Sequence, residues 1–213
     1  AIEGVVLQQT LHNGAKIQRT LRSNGGVVMA SGGFNRHPTR RSVMLPGVNE
    51  SWCPAGPGNT GSAQDLALQA GGQLGTGGLT HAFWAPVSIR QRADGTTAAF
   101  PHFVMDRGKP GMITVDSQGE RYVNESTSYH LFGIAMQEHN QKTPSIPTWL
   151  VCDAGALKRY GLGMIRPGAK GLDSFLKDGY LKQGATLVEL AQRLNVPEDK
   201  LEATVERFNQ FAD

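Results

Sequence analysis

The chain contains very little cysteine. Cys53 and Cys152 are its two cysteines in 213 residues, and neither has neighbours at the spacing of a metal site. We interpret both as small buried or bystander residues, and because low cysteine content is typical of a reducing compartment, we predict a cytoplasmic protein. His81, His102 and His130 share no metal-ligand spacing either, and we interpret them as loop or surface histidines. The sequence therefore predicts no metal site.

Long apolar runs and an excess of one charge are also missing. No apolar run approaches the roughly 20 residues that a membrane-spanning helix needs, so we predict no membrane span. The 21 basic and 18 acidic residues leave a formal net charge of +3, without a run of lysine or arginine. This balance argues against nucleic acid as a partner.

Glycine and proline are abundant, with 27 and 11 residues, and 39% of the chain is hydrophobic. Such a composition is typical of a globular protein rich in turns. The sequence begins at AIEGVV, in a strand-like pattern without an initiator methionine, and stops within or just after a helical pattern. We therefore expect an internal piece of a longer protein.

Short apolar stretches dominate the N-terminal part. Residues 2–9 and 15–21 are separated by His-Asn-Gly, which predicts a β-hairpin. Residues 26–34, GVVMASGGF, form a continuous apolar run that predicts a strand buried on both faces and ending at a glycine turn.

Helical patterns follow at four places. We predict helices over residues 62–70 and 127–139, and a strand at 148–153 whose last residue, Asp153, caps the next helix. Thr186 and Glu189 form a capping box ahead of an apolar-periodic stretch, and Pro197 begins a second one. Two consecutive helices are thus expected at the C-terminal end.

One stretch matches G-x-G-x-x-G, the dinucleotide fingerprint: Gly-Pro-Gly-Asn-Thr-Gly at residues 56–61. The fingerprint requires a strand directly before its first glycine and an acidic residue about twenty positions on. Here NESWCPA precedes it and GTGGLT lies at the later position, so we predict that it is not a dinucleotide cradle. The helix after it still offers N–H groups that attract polar or anionic ligand atoms, although an ordinary glycine-rich helix start explains the same letters.

Four motifs in order carry a family resemblance. GVVMASGGFNR is followed by GNTGSAQDLALQAGG, GMITVDSQGERYVNES and PTWLVCD. This series resembles the fumarate reductase/succinate dehydrogenase flavoprotein superfamily, and it is most similar to the 3-ketosteroid Δ1-dehydrogenase branch. The resemblance implies an α+β fold: a small sheet remnant of an FAD-binding domain over residues 1–44, followed by a mixed α+β cap domain over residues 45–213 that includes the GNTG helix and the two C-terminal helices.

The resemblance also implies an FAD site. The family's glycine turn beside FAD matches Ser31, Gly32 and Gly33, and its N-T-G matches Asn59, Thr60 and Gly61. Where the family usually places an FAD-binding aspartate, this chain has Ser62, followed by Ala63. The family's true fingerprint lies near its N-terminus and is not in this sequence, so we expect the isolated chain to lose FAD and to be inactive.

The remaining departures indicate the substrate. The position of the proton-donating arginine of the dicarboxylate enzymes corresponds to Tyr129, which the ketosteroid branch implies is a catalytic base; a half-buried helix tyrosine is the alternative. The polar dicarboxylate ligands correspond to Trp84, Phe103 and Val104. These side chains predict a pocket for a larger apolar substrate.

The expected function is FAD-dependent oxidation or reduction of a carbon–carbon bond beside a carbonyl. The expected partners are a small apolar carbonyl compound, similar to a 3-ketosteroid, and an external electron acceptor. Two alternatives stay open: a dicarboxylate oxidoreductase of the fumarate reductase type, and a stand-alone binding or interaction module without catalysis.

Overall fold

The structure is a computed structural model that describes residues 2–75, 78 and 80–211. It separates into two compact units, one formed by Ala1–Gly47 with Ala55–His81 and the other by Val48–Pro54 with Ala82–Asp213. Residues 55–81 thus cluster with the N-terminal unit, whereas we assigned them to the cap. The domain boundary at residue 44 stays a prediction, because compact units within this chain do not define the domains of a longer protein.

The first unit contains a hairpin and two helices: β1 (Gly4–Thr10), β2 (Lys16–Arg22), α1 (Arg40–Met44) and α2 (Ser62–Gln69). β1 and β2 are antiparallel, with Gly4 opposite Arg22 and Thr10 opposite Lys16. In the loop between them Gly14 has a φ of 81°, a conformation that glycine adopts without steric cost. The predicted hairpin is confirmed.

The prediction of a buried strand at residues 26–34 is wrong. These residues form no strand, and the Val28 side chain is 90% exposed. A doubly buried strand needs partner strands on both edges and packed layers on both faces. No described strand pairs with this segment, so its apolar pattern alone does not order it as a strand.

The second unit contains a 3-10 helix at Glu50–Trp52 and ten further elements. In chain order these are β3 (Val87–Gln91), β4 (Thr97–Pro101), α3 (Val104–Arg107), β5 (Met112–Val115), α4 (Tyr129–Asn140), β6 (Trp149–Cys152), α5 (Ala154–Tyr160), α6 (Leu172–Lys177), α7 (Leu187–Leu194) and α8 (Glu198–Asn209). β3 pairs with β4, and β5 pairs with β6, both antiparallel. The α+β class is confirmed.

The core of the second unit lies between β5 and the two C-terminal helices. Ile113 and Val115 of β5 pack with Ala191, Leu194 and Leu201. α7 begins at Thr186, whose hydroxyl accepts the Glu189 N–H at 3.1 Å, and Pro197 precedes α8, both as predicted. α7 and α8 therefore pack against β5 in this core.

Among the described residues, no helix combines the length and the apolar character needed to cross a bilayer.

Candidate functional site

The two glycine turns of the first unit are joined by hydrogen bonds. The Gly33 N–H donates to the Asn59 side-chain oxygen at 3.0 Å, and the Gly61 N–H donates to the Gly33 carbonyl at 3.0 Å. The Asn59 side-chain amide donates in turn to the Gly56 carbonyl at 3.1 Å. Asn59 therefore connects two segments that lie 26 residues apart in the sequence.

Glycine is required in both turns. Gly32 has a φ of 92°, and a Cβ there would lie 2.2 Å from the Asn59 oxygen; Gly61 has a φ of 78°, and its Cβ would lie 2.8 Å from Arg40. Ser31, Thr60 and Ser62 are exposed beside these turns. A polar, glycine-lined surface at the start of a helix is the kind of surface that a nucleotide cofactor contacts through backbone groups, so these residues fit FAD.

The formal G-x-G-x-x-G has a different structure from a dinucleotide fingerprint. Residues 53–60 are loop, without a strand before Gly56, and Gly61 is the N-cap of α2 in a left-handed conformation. Nothing in this segment reproduces the strand–turn–helix arrangement that the fingerprint requires.

Arg40 fixes the start of α2, a role that no sequence pattern indicates. Its guanidinium donates to the Gln64 side chain at 3.1 Å and pairs with the Asp65 carboxylate. Asp65 lies in the first turn of α2, where a carboxylate also interacts favourably with the helix dipole. The turn at residues 59–62 is thus fixed by Asn59 before α2 and by Arg40, which contacts the first turn of α2.

The second unit brings Tyr129 and Phe103 into direct contact. Their rings meet edge to face, with centroids 5.2 Å apart and an interplanar angle of 76°. Tyr129 is the first residue of α4, whose N-cap Ser128 accepts the Leu131 N–H at 3.3 Å. Phe103 precedes α3, and both rings are partly exposed, as is the adjacent Val104. The starts of α3 and α4 therefore present an aromatic surface.

The Trp84 segment contacts α4 at His130 and at Gly133, which lies one turn after Tyr129. The Trp84 backbone N–H donates to the His130 ring at 3.1 Å, and a Cβ on Gly133 would lie 2.6 Å from the Trp84 Cβ. Gly133 thus allows the Trp84 segment to pack closely on α4. His130, interpreted from sequence as a loop or surface histidine, instead lies in this helix as a hydrogen-bond acceptor.

Arg107 is a positioning residue that the sequence analysis missed. It is 1% exposed, and its guanidinium donates to the backbone carbonyls of Glu125 and Thr127 while stacking 4.2 Å from the Phe132 ring centroid. Burial lowers its pKa, and the neighbouring carboxylates of Glu125 and Asp106 counteract that change. Because Thr127 lies two residues before Tyr129, Arg107 fixes the approach to the Tyr129 helix. The Arg-Gly dipeptide within MDRGKPG is the sequence feature from which Arg107 could have been identified.

Arg121 and Glu125 form an ion pair in the segment before Tyr129. The Arg121 guanidinium donates to both Glu125 oxygens, and Glu125 also accepts the Thr114 N–H at 2.7 Å. The hydrogen bonds that Arg121 donates to Glu125 raise the pKa of Arg121. This pair ties the loop before Tyr129 to β5.

A family model described as FAD binding domain matches residues 1–213. The chain belongs to the FAD binding domain family. The resemblance stated from the motifs is thereby confirmed, and FAD is the cofactor for which the family is named.

Among the FAD-family relatives, 4-oxocyclohex-2-ene-1-carboxylate 5-dehydrogenase of Sinomonas cyclohexanicum is 36% identical over 86% of this chain and 31% of its own length. The 3-oxosteroid 1-dehydrogenase of Mycolicibacterium smegmatis is 29% identical over 98% of this chain and 36% of its own length. This chain therefore spans about a third of the length of the curated relatives it matches.

A solved structure is similar over nearly the whole chain. It is the crystal structure of 3-ketosteroid Δ1-dehydrogenase from Sterolibacterium denitrificans in complex with 1,4-androstadiene-3,17-dione. The TM-score is 0.70 at 29% identity, covering 99% of this chain and 36% of that one. The fold of the FAD-family piece is the same as that of the matching part of the dehydrogenase.

Proposed function

We propose that this chain is the substrate-binding part of an FAD-dependent dehydrogenase that acts on a flat, apolar cyclic ketone similar to a 3-ketosteroid. The observation that carries the proposal is the half-exposed pair of Tyr129 and Phe103. Two aromatic edges beside Val104 suit the apolar face of a fused ring, and the Tyr129 hydroxyl supplies one polar atom at the same place.

The glycine turns are the proposed contact with the cofactor. Ser31, Gly32 and Gly33 would lie along FAD together with the residues from Asn59 to Ser62, and Asn59 keeps the two turns in register. Bound FAD supplies a hydride acceptor, which is chemistry that amino acid side chains do not provide.

Tyr129 is proposed as the base. Dehydrogenation beside a ketone removes a proton from the α carbon and a hydride from the adjacent carbon, leaving a carbon–carbon double bond. The Tyr129 oxygen, as phenolate, would take the proton, and the electron pair of that C–H bond would pass into the developing enolate. A free phenol is mostly protonated at neutral pH, so the Tyr129 oxygen needs activation by groups near it in the complete site.

A second substrate class is favoured by the relatives. Two Sinomonas proteins named for 4-oxocyclohex-2-ene-1-carboxylate and 4-oxocyclohexanecarboxylate are each 36% identical to this chain, above the 29–30% of the steroid dehydrogenases. The same α-proton and hydride chemistry would apply to these single-ring ketones. A dicarboxylate is supported less, because Tyr129 lies at the position of the proton-donating arginine and Phe103–Val104 replace polar ligands.

The electron acceptor and the location of the protein belong to the proposal as well. Reduced flavin has to pass its electrons to an external acceptor before another turnover. A cytoplasmic location is supported by the low cysteine content alone.

Turnover of a substrate panel by the full-length flavoprotein tests the proposal. With an oxidised dye as electron acceptor, we expect dehydrogenation of a 3-ketosteroid or of 4-oxocyclohexanecarboxylate, with succinate oxidised more slowly by about 1000-fold or more, because a dianion would lose several charge-assisted hydrogen bonds. With a reduced dye as electron donor, we expect fumarate to be reduced at a similarly low rate for the same reason. Fast fumarate reduction would instead assign the protein to the dicarboxylate enzymes. A protein that binds the ketones without reducing its flavin would be a binding module.

A further inference from the structure

A network of hydrogen-bonded polar side chains includes His102, the residue directly before Phe103. The two ring nitrogens of His102 contact the Asp106 carboxylate on one side and the Ser88 hydroxyl, at 2.7 Å, on the other. Ser88 continues to the Tyr180 hydroxyl at 2.6 Å, and Tyr180 accepts the Met164 N–H at 3.1 Å. His102 lies in a loop, which agrees with one of the two alternatives from sequence, but it is not a surface residue, because only 12% of its side chain is exposed.

With a neutral His102, one set of hydrogen-bond directions satisfies every group of the network. A carboxylate only accepts, so His102 donates from Nδ1 to Asp106, and the Nε2 of a neutral imidazole accepts from Ser88. Ser88 then accepts from Tyr180, and Tyr180 accepts from the Met164 backbone. Each hydroxyl gives one hydrogen and receives one, so the chain of bonds is complete in this direction.

The network replaces the missing cap of α3. Phe103 is the N-cap residue, and its side chain forms no capping hydrogen bond. The residue before it, His102, is instead joined to Asp106 in the first turn of α3, so the two bonded residues enclose Phe103 and Val104. A four-residue helix has little stability of its own. The His102–Asp106 bond therefore helps to hold the segment that carries Phe103, together with the Arg107 guanidinium, which donates to the His102 carbonyl at 3.3 Å.

A second segment of the chain, at Gly163, also contacts the network. The other oxygen of Asp106 accepts the Gly163 N–H at 3.1 Å. Gly163 has a φ of 56°, and a Cβ there would lie 2.3 Å from the Tyr180 oxygen and 3.1 Å from the His102 ring. Residue 163 is thus restricted to glycine by the network itself.

We propose that the network of Ser88, His102, Asp106 and Tyr180 is a positioning device that fixes Phe103 against Tyr129 and so determines how well the enzyme binds its ring substrate. The inference rests on the proposed function, since it assigns Phe103 to the substrate pocket. None of the four residues takes part in the chemical step.

Serine hydrolases contain the same order of residues. Their histidine lies between an aspartate and a serine, and it activates the serine to attack a bound ester. Here the Tyr180 hydroxyl lies 2.6 Å from the Ser88 oxygen and donates to it. A serine oxygen that accepts such a bond is a weaker nucleophile and is covered on that side. The arrangement therefore favours a structural role, and we expect no labelling of Ser88 by a fluorophosphonate.

Asp106→Asn in the full-length flavoprotein tests the proposal. If the asparagine oxygen stays on the Gly163 N–H, its NH2 group faces His102 Nδ1, which must then become an acceptor, and the direction of every later bond reverses. The Tyr180 oxygen would then receive two hydrogens and its own would have no acceptor within the network. We expect KM for the cyclic ketone to rise about 10-fold while kcat changes less than about 3-fold, the pattern of lost binding rather than lost chemistry.

The chain offers a matched control. His139 and Asp116 form the same kind of pair at 2.8 Å in the same unit, and the other Asp116 oxygen accepts the Gln118 and Glu120 N–H groups. His139 lies in the last turn of α4, at the opposite end of that helix from Tyr129, so Asp116→Asn disturbs an equivalent bond there. We expect it to leave KM within about 2-fold of the parent value. A rise in KM at constant kcat reports lost substrate binding, and Asp116→Asn does not change the bonds that hold Phe103.

A fluorine reporter separates this inference from the proposed function. With 4-fluorophenylalanine in place of Phe103, the ¹⁹F resonance should shift or broaden in Asp106→Asn and in His102→Asn, and stay unchanged in Asp116→Asn. If the parent protein oxidises no cyclic ketone, the proposed function fails while the resonance still decides the positioning role. An unshifted resonance in Asp106→Asn, equal KM values in Asp106→Asn and Asp116→Asn, or labelling of Ser88 by the fluorophosphonate would each overturn the proposal.

Discussion

At residue 107 a buried cation donates hydrogen bonds to the backbone carbonyls of His102, Glu125 and Thr127. Arg107→Met keeps an apolar stem but leaves the Glu125 and Thr127 carbonyls without their donors. Each unsatisfied buried group costs about 1–3 kcal/mol, so we expect a loss of about 3 kcal/mol or more in the free energy of unfolding. Urea denaturation of the chain, followed by circular dichroism, measures it.

Arg107→Lys is the matched variant, because lysine keeps the charge but not the planar fork that reaches both carbonyls. We expect it to recover only part of the loss. An Arg107→Met midpoint equal to that of the parent chain would contradict the anchoring role.

Cys152 gives a prediction about pH. Burial, with the charges of Asp153 and Asp106, raises the pKa of its thiol to about 11. A thiol in the unfolded chain ionises near its ordinary value, so the unfolded state loses the proton first as pH rises. The stabilisation is complete below the unfolded pKa and is lost as the pH rises toward 11.

Two measurements check the Cys152 thiol. Iodoacetamide at pH 8 should alkylate Cys152 at least about 10-fold more slowly than a small-peptide thiol, because the thiolate is the reacting form. The unfolding midpoint should also fall between pH 9 and 11, and fall less in Cys152→Ala. Rapid alkylation in the folded chain would show that the thiol is not protected.

At the scale of the element, Thr186 determines where α7 begins. Its hydroxyl accepts the Glu189 N–H, and the Glu189 carboxylate accepts the Ala185 N–H at 2.7 Å. Thr186→Ala removes the first bond and should cost about 1 kcal/mol, whereas Thr186→Ser should restore most of it. Chemical denaturation distinguishes the two variants, and equal midpoints would argue against the cap.

The elements with local signals are the ones that could be predicted. The Thr186 cap, Pro197 and the Asp153 cap, which accepts the Ala156 N–H at 2.6 Å, each act within four residues, so a short stretch of sequence contains the whole cause. The hairpin is local in the same way. The strand predicted at residues 26–34 did not form. A buried strand needs partner strands from elsewhere in the chain, and a local apolar pattern gives no information about them.

The site was predictable only in part, for the same reason. Tyr129 and Phe103 came from the family resemblance, and their contact is a finding of the structure. Arg107, Arg40 and His102 act through residues 14 or more positions away, such as Thr127, Gln64 and Ser88. Sequence separation of that size leaves no periodic pattern to recognise.

At the scale of the whole molecule, the chain should not retain FAD by itself. Its glycine turns offer polar contacts, but its one G-x-G-x-x-G lacks the preceding strand that builds a pyrophosphate site. We expect a colourless protein after gel filtration in the presence of FAD, measured by absorbance near 450 nm. A flavin spectrum that coelutes with the chain would show that the turns suffice.

The central claim is that Tyr129 takes the substrate proton in an FAD-dependent ketone dehydrogenase. The most direct measurement is the rate at which a cyclic ketone bleaches the flavin of the full-length protein, in a stopped-flow comparison of parent and Tyr129→Phe. Phenylalanine keeps the ring that contacts Phe103 and removes only the hydroxyl. We expect a rate lower by roughly 100-fold or more, with substrate binding retained. Bleaching at the parent rate in Tyr129→Phe would contradict it.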